Sequence, residues 1–132
     1  MIKIFIDTDI IIDFLTGRKP YSVSAANLFS RIDKMEIDAY TSSLTIRNLY
    51  YILRKNASHD RVIRALNELI GMIGVLPVNL DSMEKALQSE FPDLETGIQY
   101  SCAESEKVNA IITRNIRDYK LSRIPVVGPE GI

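Results

Sequence analysis

The sequence predicts an α/β fold built on a central, mostly parallel sheet of about five strands flanked by helices. Three observations carry that prediction. Short apolar runs alternate with longer stretches of helical periodicity. The clearest runs end abruptly in polar residues, Asp7 after the first and Arg114-Asn115 after the fourth. The chain has 132 residues, 46% of them hydrophobic, which suits one domain spanning 1–132 with a substantial core.

Each element follows in order. Residues 2–6 read as a buried strand, with Lys3 the only polar residue. Residues 9–16 read as a short helix with Ile10, Phe14 and Leu15 inward and Asp13 in solvent, stopped by Gly17. Pro20 opens a helix to Asp33 that buries Ala25, Leu28, Phe29 and Ile32. Residues 37–40 are a second strand. Ser42 or Ser43 caps a helix running to Lys55, and after a polar break another helix carries Val62, Leu66, Leu69 and Ile70. Residues 75–78 form a short strand interrupted by Pro77, followed by a helix over 81–89 marked by Leu80, Met83 and Leu87. Asp93 is a natural N-cap for a helix to Glu106, residues 109–113 are a fourth strand, and Val126-Val127 close the sheet.

Composition excludes several functions. With 16 basic and 17 acidic residues the net charge is −1, so no global field steers the chain to nucleic acid; such binding needs a local basic patch. A single cysteine, Cys102, rules out an intrachain disulfide and a Cys-rich zinc site. No apolar run approaches the roughly 20 residues of a membrane span, and the N-terminus lacks secretory features, so a soluble cytoplasmic protein is expected.

In a parallel sheet the C-terminal strand ends share one edge, where open α/β folds bind ligands. Asp7 ends the first strand there, and Asp9, Asp93, Glu95 and Asp118 are expected to join it. Clustered carboxylates repel one another, and a hard dication such as Mg²⁺ or Mn²⁺ resolves the repulsion. Such an ion activates water and offsets charge on a phosphodiester.

The ordered segments IFIDTDIIIDFL, SSLTIRNLYYILRK and FPDLETGIQYSCAESEKVNAIITRNIRDY resemble the PIN domain family, which includes the VapC-like ribonuclease toxins. The resemblance spans essentially the whole chain. It implies a three-layer fold, a Mg²⁺- or Mn²⁺-dependent endoribonuclease acting on RNA, a cognate antitoxin as partner and a homodimer. It places the catalytic positions at Asp7, Asn48, Thr96, Asn115 and Asp118, with Asp7 and Asp118 as metal ligands. Two positions depart from the family pattern: Asn48 stands where a glutamate is usual, and Thr96 where an aspartate binds metal. At an effective dielectric near ~20, a carboxylate about 4 Å from a dication gains roughly 8 kcal/mol of raw Coulomb energy, so losing two weakens metal binding even after desolvation is subtracted. Asp9, Asp93 or Glu95 would have to compensate.

Arg114 and Arg117, in the loop after the fourth strand, are the expected phosphate-binding residues. Arg47, Arg54, Lys55, Arg61 and Arg64, interleaved with Tyr50, Tyr51 and His59, are read as an ordinary solvated surface rather than a phosphate track. Cys102 is read as a core residue. Two other functions stand against the nuclease: a degenerate PIN-like module that binds RNA or protein, and, ranked last, a phosphatase of the haloacid-dehalogenase class suggested by Asp7-Thr8-Asp9. The latter lacks a threonine at Ile11.

Overall fold

The computed structural model describes residues 1–132. Five parallel strands, β1 (Ile2–Ile6), β2 (Ile37–Ser42), β3 (Gly74–Leu76), β4 (Ala110–Ile112) and β5 (Val126–Val127), form one sheet in the order β3-β2-β1-β4-β5. Six α-helices accompany them: α1 (Thr8–Thr16), α2 (Ser22–Asp33), α3 (Ser43–Leu53), α4 (His59–Ile70), α5 (Leu80–Gln88) and α6 (Leu94–Glu106). Single 3-10 turns cover Ile116–Tyr119 and Pro129–Gly131. No helix is long and apolar enough to cross a membrane.

Strand alternation divides the core into two layers. Ile4 and Ile6 of β1, with Ala110 and Ile112 of β4, point into a cluster filled by α1, α2 and α4. Phe5 and Ile111 point the other way, among Ala86, Ile98, Cys102 and Tyr119. Because both faces are covered, the central strands are apolar throughout rather than alternating. Each fully buried isoleucine or phenylalanine contributes about 1.5–3 kcal/mol by leaving water. Cys102 is a core residue at 2% exposure.

The helices begin and end for local chemical reasons. Asp7, Ser42, Ser58, Asn79 and Asp93 are N-caps whose side chains accept backbone N–H bonds. α1 stops at Gly17, whose φ of 65° is the left-handed conformation glycine adopts without strain.

Several boundaries differ from those expected. β2 extends to Ser42 because its polar end is satisfied in place: Thr41 Oγ1 donates to the Ile6 carbonyl at 2.8 Å, and Ser42 is both last strand residue and cap of α3. β3 stops before Pro77, which has no N–H to extend the ladder. α2 starts at Ser22 rather than Pro20, and α3 ends at Leu53 rather than Lys55. Ile70, Leu80 and Leu87 are exposed at their helix ends and surfaces.

The largest correction concerns Asp13, expected in solvent but only 1% exposed. Its carboxylate receives Arg114 in a two-bond fork, Nε at 2.7 Å and Nη2 at 3.1 Å, and Arg18 Nε lies 3.2 Å away. A buried carboxylate persists only when paired, and here two arginines pair with it.

Candidate active site

The chain runs outward from β1 to β3 on one side, then returns to β4 and β5 on the other. The topological switch therefore lies between β1 and β4, at their C-terminal ends. Asp7 leaves β1 at this point, and its backbone N–H bonds the Ile112 carbonyl of β4 at 2.9 Å. A cleft of ≈ 320 Å³ opens there, lined by Asp7, Thr8, Asp9, Ile12, Arg18, Ile52, Glu95 and Asn115.

Asp7 is 9% exposed and firmly held. It accepts bonds from the Thr8 N–H at 2.9 Å, Thr113 Oγ1 at 2.9 Å and Gln99 Nε2 at 3.4 Å. Gln99 is fully buried; it also bonds Thr45 Oγ1 at 2.7 Å and Ser42 Oγ. Gln99 of α6 and Thr113 just after β4 thus fix one carboxylate directly, and Ser42 and Thr45 at the start of α3 hold Gln99 in turn.

Asp9 sits one step along α1. Its Oδ2 accepts the Arg114 backbone N–H at 2.9 Å, and its Oδ1 accepts the Ile10 N–H at 2.8 Å. Burial, and then the neighbouring Asp7 charge, push its pKa up to about 6 against the lowering effect of those N–H groups. Glu95 at the start of α6 is also raised, first by burial and then by Asp7 and Asp93, while its hydrogen bond from Asn48 Nδ2 opposes the shift. Three carboxylates therefore face one cleft, and the charge of Asp7 adds to burial in raising Asp9 and Glu95.

The positions singled out from the sequence divide into two sets. Asp7, Asp9, Glu95 and Asn115 come together at the cleft. Asn48 reaches it indirectly, through Glu95. Thr96 does not open onto it: it is 6% exposed, and its Oγ1 and N–H both bond Asp93 Oδ2, at 3.2 and 3.1 Å. Asp93 is occupied as the α6 cap. Asp118 lies exposed on the 3-10 turn and is not among the residues lining the cleft, whereas Asp9 and Glu95 line it with Asp7. Arg114 is not free for phosphate: its guanidinium is forked onto Asp13 and stacked 3.7 Å from the Tyr21 ring centroid. Its backbone N–H instead holds Asp9. Arg117 is exposed. The Arg47–Arg64 region behaves as solvated surface, with Arg47 4.7 Å over the exposed Tyr51 ring and Tyr50 Oη 2.9 Å from His59 Nδ1.

Gln99, Thr113, Arg18 and Asp13 escaped the sequence reading. Thr113 alone carried a signal, as the last polar step of the fourth strand.

No three His, Cys, Asp or Glu side chains are arranged to hold a metal ion among themselves. Mg²⁺ and Mn²⁺ do not require that arrangement. Mg²⁺ in particular keeps several waters and binds through one or two carboxylates plus substrate phosphate. The hard carboxylate oxygens of Asp7, Asp9 and Glu95 at one cleft fit such an ion.

The chain is similar to known proteins over most of its length. The model of the PIN domain matches residues 3–117. Ribonuclease VapC1 of Aquifex aeolicus (strain VF5) is 27% identical over 121 residues, covering 86% of this chain and 81% of that one. A chain from the structure of FitAB bound to an IR36 DNA fragment superposes with a TM-score of 0.73 at 16% identity, covering 96% of this chain and 94% of that one. A chain of a toxin-antitoxin complex from Klebsiella pneumoniae gives 0.69 at 24% identity, with 95% and 96% covered. At these identities the structural likeness is one of fold.

Proposed function

The chain belongs to the PIN domain family, and from that premise we propose that it is a Mg²⁺- or Mn²⁺-dependent endoribonuclease of VapC-like toxin type, acting as a single domain over residues 1–132. The observation that carries the reading is the Asp7–Asp9–Glu95 cleft at the β1/β4 switch, where Asp9 is pushed up to about 6 by burial and by Asp7.

Asp7, preset by Thr8, Thr113 and Gln99, is the principal metal-holding carboxylate, with Asp9 or Glu95 as its companion. When bound, the cation supplies Lewis-acid activation of water and neutralises charge developing on the phosphodiester. Asn115 at the cleft mouth orients the RNA or the attacking water by hydrogen bonding. Arg18, half exposed on the cleft wall, and Arg117 on the adjoining turn attract the phosphate backbone. Arg114 keeps the loop after β4 in place, so that its N–H meets Asp9.

The likeness to a ribonuclease supports RNA as substrate, and the likeness to a chain of a toxin-antitoxin complex supports a small antitoxin partner. A homodimer working in the cytoplasm completes the reading. A second reading, a catalytically degenerate domain that binds RNA or protein, draws on Asn48 and Thr96, whose side chains engage Glu95 and Asp93 instead of adding charge to the cleft.

The test is cleavage of a panel of structured RNAs with Mg²⁺, with Mn²⁺ and with chelator. Cleavage that needs the metal and vanishes in Asp7→Asn is expected. Metal-independent cleavage, or cleavage unchanged in Asp7→Asn, removes the mechanism. RNA binding without cleavage selects the degenerate module.

A further inference from the structure

Two aromatic residues are exposed, Tyr21 at 42% and Tyr51 at 58%. The chain accounts for Tyr21, whose ring carries the Arg114 guanidinium forked onto Asp13. Tyr51 has no such role. The Arg47 guanidinium sits 4.7 Å over its ring and makes no hydrogen bond or ion pair within the chain. An open ring and a free arginine therefore stand together on α3.

Their position on the helix gives the pair a meaning. Asn48 and Ile52, at i and i+4, form the ridge of α3 that faces the cleft: Asn48 bonds Glu95, and Ile52 lines the opening. Arg47 and Tyr51 stand one residue earlier, again at i and i+4, on the neighbouring ridge. That ridge is turned by about 100°, which carries it from the cleft wall onto the rim. Ile52, 39% exposed, bridges the two.

The cleft itself is poorly suited to holding a nucleic acid by charge. Asp7, Asp9 and Glu95 line it, and the net charge of −1 supplies no attractive field. Affinity must come from contacts beside the carboxylates. An exposed aromatic ring offers one that needs no charge, because every base has a π-face. A free guanidinium offers the other, a fork of donors for a phosphate.

We propose that Tyr51 stacks an unpaired base of the RNA that enters the cleft, while Arg47 turns from the ring to the phosphate of the same nucleotide. This rests on RNA being what the cleft binds. It selects strands whose bases are free, since stacked and paired bases hide their faces. Tyr51 and Arg47 act as positioning residues at the rim and take no part in the chemistry.

The experiment is fluorescence anisotropy of a labelled oligouridylate titrated with the whole protein in chelator, beside an abasic strand of the same length. Tyr51→Leu is expected to bind the oligouridylate about tenfold more weakly than the parent, and Tyr51→Phe to bind it as the parent does. On the abasic strand the parent and Tyr51→Leu should match, a base dependence that a merely structural role would not produce. Equal binding of the oligouridylate by the parent and Tyr51→Leu overturns the proposal, as does a parent that shows no saturable binding. Dissociation of a dimer by Tyr51→Leu, read by sedimentation, also overturns it, because the ring would then belong to a protein interface. Cleavage in the presence of metal, with Asp7→Asn as control, decides the nuclease reading separately. If cleavage fails while the titration behaves as expected, the RNA-binding module stands and the stacking site with it.

Discussion

Asp9 makes the metal-free protein less stable as the pH rises, which is the reverse of the usual behaviour of a carboxylate. Its pKa moves from 3.8 to about 6 on folding, caused first by burial and second by Asp7. At 1.36 kcal/mol per pKa unit, the roughly two-unit rise corresponds to ~3 kcal/mol. Partial solvent contact screens the charges, so about 2 kcal/mol is the expected effect. The sign follows from linkage: a folded pKa above the unfolded one contributes stability that is complete below pH ~4 and lost as the pH climbs to about 6. The perturbation is Asp9→Asn, which keeps one oxygen for a backbone donor and removes the titration. The assay is urea unfolding of chelator-treated parent and variant at intervals from pH 4 to pH 7.5. Other carboxylates titrate in both proteins, so only the difference is read. The variant should gain about 2 kcal/mol on the parent between pH 4 and pH 6.5, on top of a constant offset from the lost backbone bond. A difference that stays flat, or that falls with pH, would refute the claim that Asp9 is held in a charge-disfavouring cleft.

The remaining predictions concern which groups hold the site. Asp13→Ala leaves the forked Arg114 without its partner and should cost about 3 kcal/mol in unfolding free energy; Arg114→Met in the same background should recover part of it, as a double-mutant cycle would read. A loss below ~1 kcal/mol would mean the pair behaves like a surface salt bridge. Glu95→Gln retains the contact with Asn48 but removes a cleft charge, so Mn²⁺ affinity should fall about tenfold while the metal-free melting temperature holds or rises. Asp118→Asn, altering a carboxylate outside the cleft, should change Mn²⁺ affinity by less than about twofold; the reverse ranking of these two variants would move the metal site to the final turn.

The fold was legible because its determinants are local. Apolar runs such as Ile4-Phe5-Ile6 declare strands buried on both faces, and Ser42, Asp93 and Gly17 announce helix ends by their own hydrogen bonds or φ preference. Asp7 was legible for the same reason, since it ends the first strand and caps the next helix. What the sequence concealed depends on partners far along the chain. Asp13 looks like a solvated helix residue until Arg114, a hundred positions later, folds onto it. The polar end of β2 looks like a loop until Thr41 finds the Ile6 carbonyl and Ser42 finds Gln99. The choice between Glu95 and Thr96 turned on the rotation of α6, which buries Thr96 against Asp93 and leaves Glu95 toward Asn48 and the cleft.

The central claim is that the carboxylates gathered at the β1/β4 switch hold a divalent cation on Asp7. Calorimetric titration of the purified protein with Mn²⁺ at pH 7, beside Asp7→Asn, tests it without any choice of RNA. The account predicts saturable binding by the parent protein and its loss in the variant, with affinity weakening below pH 6 as Asp9 takes up a proton. Binding that survives Asp7→Asn, or no saturable binding at millimolar Mn²⁺, would contradict it.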